Sequence, residues 1–404
     1  MGSVGPSRST FTIKPIDHGP GKKCNFGAEI TGLDLNNVTD QDLETLRDAI
    51  WRHKVVVVKG QHQLQPLRNW ELLERLDPDA PRLTHEEFGT MFHPTGQGII
   101  ERLRLATLPN AGLLHLMGKG YQGDDHYGIK GLDIGEAYSF NYYAKPLSTE
   151  DFMKGHTRFQ SWHIDGPCYK MDPPKYSSFR TVKLPGGSAG ESAPKQHVDW
   201  ADGSGLSLEV SPGRTAFVSS TQLYDLLSDD EKRMADHSWF EYMYYPYQWT
   251  KDTHGNPNGL GVADEGRELS DEEMEKMLPR QPEWQKRYPM VIVNPATGEK
   301  AFQVQQNCVR RLFIRHGPSE EPKVIDDVAE VRRFLTNIQS RIIRPEYVWA
   351  GPPDEGDHLL WANWTVMHSK IDYPVEWGVR TAHQGWIPSK HPPVGPVPIP
   401  PTAC

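Results

Sequence analysis

Two tripeptides, His163-Ile164-Asp165 and His197-Val198-Asp199, set a histidine and an aspartate two residues apart. Residues i and i+2 of a β-strand project from one face, so each tripeptide delivers an imidazole nitrogen and a carboxylate oxygen together. A second histidine completes the two-histidine, one-carboxylate face of a non-haem iron(II) site, with the remaining positions open to a cosubstrate and oxygen. His368, at the end of LLWANWTVMH, supplies it. Zinc accepts the same donors, so a zinc hydrolase is an alternative chemistry. A noncatalytic metal-binding protein is another.

H-x-D arises by chance in a chain with 17 histidines, and context separates the two matches. His163 follows the aromatic, β-prone FQSW. His197 lies in the polar stretch GGSAGESAPKQHVDWADGSG, where a surface or satisfied core histidine is expected. Arg380 stands in WGVRTAHQGW, beyond His368. A guanidinium fork grips a carboxylate with two parallel hydrogen bonds, which suits the far end of a dicarboxylate cosubstrate. A hydrolase gives Arg380 no comparable task.

These groups need a rigid frame. Thr39 and Asp42 form a capping box ahead of Leu43, Leu46 and Ile50, which predicts a helix over 40–52. Val55 to Val58 read as a short buried strand, and a helix is expected around 66–76. From Gly89 to Lys145 loops dominate, with short strands such as Gly112–Met117. Strand composition recurs at 159–165, 176–184, 207–210 and 215–219. Residues 186–205 read as a structureless insertion, either a lid, a binding loop or a disordered segment. Helices are expected over 221–236, with Ser228 and Glu231 able to cap a second short turn, and over 270–278, a hairpin over 288–305 around NPATG, and the strongest helix over 326–344. HLLWANWTVMH reads as a further strand pair, and the tail from Pro388 as extended.

Composition bounds the class. With 404 residues, 37% of them apolar, the chain buries a substantial core. Its 36 glycines and 34 prolines carry no repeat and mark turns between strands. A net charge of −9 argues against a nonspecific nucleic-acid partner. No apolar run reaches the length of a membrane span, and neither a signal peptide nor a lipid anchor is read, so a cytoplasmic protein with no membrane partner is expected. Cys24, Cys168, Cys308 and Cys404 lack metal-knuckle spacing, and reduced thiols are expected. A homo-oligomer is allowed but not indicated.

GAEITGLDL with its following helix, HKVVVVKGQ, WHIDGP, PGRTAFVSS, YPMVIVNPATGEKAFQV and GDHLLWANWTVMH occur in this order. In these motifs the chain resembles the taurine/2-oxoglutarate dioxygenase (TauD/TfdA) family of non-haem iron oxygenases over nearly its whole length. Within that family it is most similar to the fungal 2-oxoglutarate-dependent xanthine dioxygenases, through FQSWHID, TAFVSS followed by YDLLS, NPATG with FQVQ, and VRTAHQ.

The resemblance implies a mainly β fold with peripheral helices, a double-stranded β-helix of the jelly-roll, cupin-like type. It implies one oxygenase domain over 1–387, with the 186–205 insertion inside it and a Pro-rich tail at 388–404. It implies that His163, Asp165 and His368 bind Fe(II), and that Thr215 and Arg380 hold the far carboxylate of 2-oxoglutarate. With O2 as oxidant, cosubstrate decarboxylation to succinate and CO2 is coupled to oxidation of a substrate C–H bond. Gln384 matches a purine-recognising glutamine of the xanthine enzymes, whereas Trp386 stands where they carry asparagine. An indole cannot repeat an asparagine's hydrogen bonds, so the expected substrate is a small polar molecule, a small amino acid or related metabolite of a fungal-type biosynthetic pathway. A xanthine-type purine is the alternative. Phe159 is read either as a wall of the substrate pocket or as core.

Overall fold

The computed structural model describes residues 11–84, 87, 106–135, 142–166, 171–187, 193–263, 266–277 and 285–400. Among them the chain is mainly β with few helices. Val55–Val58 explains the central arrangement. All four valines are buried, because this strand is covered on both faces and therefore needs no polar alternation. Val56 and Val58 meet the helices Asp40–His53 and Pro66–Leu76. Val55 and Val57 face the other way, towards Phe179, Phe217, Leu359 and Trp361.

That strand lies third in an eight-stranded sheet: Thr12–Pro15, Ala28–Thr31, Val55–Val58, His358–Ala362, Tyr176–Lys183, Arg380–Trp386, His115–Tyr121 and Asp133–Ile134. Only the Ala28–Thr31 and Val55–Val58 neighbours are parallel. A three-stranded sheet, Trp349–Gly351, Thr215–Ser219 and Val366–Lys370, faces it. Phe217 and Val366 of the small sheet join Phe179, Leu359, Trp361 and Ala382 of the large one in a shared core. A second core gathers the helix Val328–Ile342, the hairpin of Val291–Val293 with Lys300–Phe302, and the four-stranded sheet containing Trp239–Tyr242 and Val309–Ile314.

The local signals carry over closely where they are strong. Thr39 and Asp42 form the reciprocal capping box of Asp40–His53, and Pro66–Leu76 begins with proline in its first turn, where its missing N–H costs nothing. The 221–236 expectation resolves into two helices, Ser220–Asp225 and Asp229–His237, because Ser228 and Glu231 cap a fresh start. The strand expected at Gly112–Met117 lies at His115–Tyr121.

Three expectations are corrected. Within 186–205, Gln196–Asp199 is a strand paired with Ser207–Val210 and His156–Thr157, with Gln196 and Val198 buried; their inward alternation outweighs the polar neighbours. FQSWHID is not a continuous strand but makes isolated bridges at Phe159 and His163. HLLWANWTVMH does not pair with itself. His358–Ala362 enters the large sheet and Val366–Lys370 the small one, with a turn closed by Thr365 donating to the Ala362 carbonyl between them. Residues 89–105 and 136–141, within the region expected to be loops, and 188–192 of the expected insertion lie outside the described residues, as does Cys168.

The tail from Pro388 is extended but docked. Ser389 donates to the Asp172 carbonyl, and Val293 donates to that of Val394. No helix among the described residues is long and apolar enough to cross a membrane.

Val331, Leu335, Ile338 and Ile342 bury one stripe of Val328–Ile342 against the second core. Leu335→Ala leaves a cavity there and should cost about 2–5 kcal/mol in denaturant unfolding, whereas the exposed neighbour change Arg333→Ala should stay within about 0.5 kcal/mol.

Candidate metal centre

The two histidines meet through the backbone. The N–H of His163 donates to the His368 carbonyl at 2.9 Å and the N–H of His368 returns to the His163 carbonyl at 2.9 Å. Directly opposed residues of an antiparallel pair send side chains to the same face. The imidazole centroids accordingly lie 4.2 Å apart. His368 is held from the other side by Phe217, its partner on Thr215–Ser219, whose ring stacks on it at 5.8 Å. Asp165 Oδ1 approaches His368 Nε2 at 3.6 Å. His163, Asp165 and His368 each offer a donor atom within 4.8 Å of the others, the only such group among the described residues.

Asp165 is aimed by side-chain amides rather than by a strand ladder. Asn363 accepts from the Asp165 N–H at 2.9 Å and donates to the Asp165 carbonyl at 3.0 Å. Gln305 accepts from the Ile164 N–H at 3.1 Å. Gln303 donates to the Asn363 carbonyl at 2.6 Å, which extends the clamp to the hairpin. The next residue, Gly166, has φ +66°, and a Cβ there would lie 2.8 Å from Pro174 and 3.3 Å from the Trp386 indole, so glycine fits and larger residues do not.

Protonation states suit a metal. His163 Nδ1 lies 2.8 Å from the Ser161 carbonyl, an acceptor only, which assigns the proton to Nδ1 and leaves the Nε2 lone pair for coordination. Burial, assisted by the neighbouring His368, pushes His163 down to about 4, so it is neutral at physiological pH. Burial alone would raise Asp165, but His368 and His163 outweigh it and hold the carboxyl below its usual range. Asp165 Oδ2 and His368 Nδ1 are buried without hydrogen-bond partners. A neutral His163 imidazole, and an ionised Asp165 carboxylate with an unspent oxygen, fit a divalent cation.

Arg380 enters from the facing sheet. It is buried, lies over the Phe179 ring at 5.0 Å, and donates from Nη2 to Thr215 Oγ1 at 3.1 Å. Its Nε has no partner, and the carboxylate whose charge it feels, Asp372, is paired with Lys119 at 3.0 Å. Arg214 stands nearby, bonded to the Pro212 and Pro353 carbonyls; burial and the Arg380 charge push it down to about 10. Two buried guanidiniums without a carboxylate of their own make this corner receptive to an anion.

Gln384 and Trp386 sit on the metal side of Arg380–Trp386. Gln384 donates from Nε2 to Asp165 Oδ1 at 3.1 Å, and Trp386 covers Gly166. Phe159 is not brought to the site: it is fully buried between Trp162 and Trp200, each ring 4.8 Å away. His197 and Asp199 occupy a strand, where Asp199 bonds His156 Nδ1 at 2.8 Å, outside the metal-ligand group. Asn363, Gln303, Gln305, Ser161 and Arg214 were not singled out by sequence reasoning, although all stand inside or beside the quoted motifs. For Asn363, Gln303 and Gln305 the available signal was an uncharged amide among apolar neighbours.

Residues 12–386 match the model of the taurine catabolism dioxygenase TauD, TfdA family. The chain belongs to this family and is an enzyme of the 2-oxoglutarate-dependent dioxygenase class, which uses Fe(II), 2-oxoglutarate and O2. It is 57% identical over 392 residues to alpha-ketoglutarate-dependent dioxygenase bsc9 of Alternaria brassicicola, covering 96% of both chains. It is 34% identical over 378 residues to alpha-ketoglutarate-dependent xanthine dioxygenase xanA of Emericella nidulans, covering 93% of this chain and 95% of that one. The crystal structure of AAD-2 with Mn(II) and N-oxalylglycine shares the fold at a TM-score of 0.54 and 14% identity, over 95% of this chain and 100% of that one.

Asn363→Ala removes both bonds that hold the Asp165 backbone while leaving every candidate ligand in the sequence. Mn(II) affinity, measured by titration without cosubstrate, should fall about 10–100-fold.

Proposed function

We propose that His163, Asp165 and His368 hold Fe(II) and that Arg380, with Thr215, binds the far carboxylate of 2-oxoglutarate in an oxidation of a small-molecule C–H bond. The observation that carries this reading is the convergence of half-buried His163 with buried Asp165 and His368, beside an Arg380 with no carboxylate of its own. The bound metal and cosubstrate supply the oxidising chemistry, releasing succinate and CO2. The chain's own residues orient and exclude. Ser161 fixes the His163 tautomer, Asn363 and Gln305 hold the Asp165 segment, Phe217 and Trp361 wall His368, and Gln384 sets one carboxylate oxygen. No protein general base is needed. In this proposal the facing sheets form a double-stranded β-helix and 1–387 is one domain followed by the Pro-rich tail 388–404, of which Ser389 and Val394 bond back to the domain.

Gln384 and Trp386 border the substrate in this proposal. A small amino acid or related metabolite is favoured because Trp386 sets its apolar indole ring beside Gly166, where a hydrogen-bonding group would suit a purine. Xanthine-type hydroxylation is the second reading, supported by Gln384 and the 34% identity to the xanthine enzyme. Substrate-dependent succinate release over free amino acids, related metabolites and xanthine tests both: turnover of xanthine alone overturns the preference.

His368→Ala should abolish succinate formation and weaken Mn(II) binding at least tenfold; unchanged metal affinity contradicts the ligand assignment. Arg380→Gln should raise KM for 2-oxoglutarate by about 30-fold or more, as expected for truncating a buried charge partner at roughly 2–5 kcal/mol, with Mn(II) affinity retained.

A further inference from the structure

The large sheet has a second polar row, on the face turned away from the metal centre. Alternation along the strands sends Phe179, Leu359 and Gln384 to the metal side and Arg180, His358 and His383 to the other. Arg180 is directly opposed to His358 on one neighbouring strand and to His383 on the other, so the three side chains stand abreast. All are buried, with exposures of 3%, 0% and 0% for Arg180, His358 and His383.

Their hydrogen bonding is incomplete. Arg180 donates from Nη2 to the His62 carbonyl at 2.7 Å, while Nε and Nη1 have no partner. Both ring nitrogens of His358 and Nδ1 of His383 are likewise buried and unpartnered. His126, from the turn that covers this row, approaches His383 with Nε2 to Nε2 at 2.7 Å. A proton on His126 Nε2 makes His383 Nε2 the acceptor and leaves a proton on His383 Nδ1, a free donor. All three imidazoles feel the Arg180 charge, and the one carboxylate acting on any of them is Asp125, on His126. These histidines do not form a metal-ligand group.

We propose that Arg180, His358 and His383 bind a small monovalent inorganic anion of chloride size. A guanidinium buried with one carbonyl partner leaves a charge that neutral imidazoles cannot offset, and water supplies hydrogen bonds but no countercharge. A compact anion accepts from Arg180 Nε and Nη1, from the protonated nitrogen of His358 and from His383 Nδ1. It also ties together three strands, Tyr176–Lys183, His358–Ala362 and Arg380–Trp386, whose other faces line the metal and cosubstrate side.

Thermal unfolding of the full chain at constant ionic strength, with sodium gluconate replaced stepwise by sodium chloride, tests this. The expected result is a saturable rise in Tm of a few degrees, reproduced by bromide and lost in Arg180→Met. A flat response of the wild type overturns the proposal, as does an equal rise in Arg180→Met. Should Arg180→Met not fold, bromide-soaked wild-type crystals decide: an anomalous peak between Arg180, His358 and His383 supports the site, and water alone at that position refutes it.

Discussion

The reciprocal backbone pair between His163 and His368 is the constraint on which the site depends. Two hydrogen bonds fix the separation of the strands and, because opposed residues share a face, the direction of both rings. The pairing of Val366–Lys370 with Thr215–Ser219 then sets Phe217 against His368 and Thr215 on the same side. Thr215 meets Arg380, which arrives from the opposite sheet. The candidate metal ligands and the anion-receptive corner thus follow from one junction between the two sheets.

The third candidate ligand is held differently. Asp165 follows an isolated bridge rather than a strand, and Asn363 and Gln305 occupy the backbone groups that a ladder would otherwise satisfy. Buried amides are costly unless their bonds are made; here Asn363 and Gln305 bond the Ile164–Asp165 segment, and Gln303 donates to the Asn363 carbonyl. The same turn that presents Asn363 carries the chain from the large sheet to the small one. The crossing and the clamp are one piece of structure.

Arg380–Trp386 shows how densely a strand can be used. Gln384 and Trp386 turn to the Asp165 segment and His383 to the buried row beside Arg180, while the backbone pairs with strands on both sides. A polar residue on either face therefore has a partner or a ligand to meet. This explains why RTAHQGW reads as neither an apolar core strand nor an alternating surface strand.

The sequence by itself determined the elements whose causes are local: the Thr39 capping box, the valine strand, the Ser228 restart, the NPATG hairpin and the stripe of Val328–Ile342. It also supplied His163, Asp165, His368, Thr215 and Arg380 as an ordered set, because ligand chemistry restricts residue type and motif order is retained along the chain. Partners were not legible. Gln196–Asp199 is a strand because Gln196 and Val198 find buried neighbours, and HLLWANWTVMH is divided between sheets because its turn redirects the chain. Phe159 is core because Trp162 and Trp200 enclose it. Asn363, Gln305 and the Arg180 row acquire meaning only when strands distant in sequence lie side by side. Hydrogen bonds and charge pairs act over a few ångströms, and only the tertiary fold decides which residues come within that range.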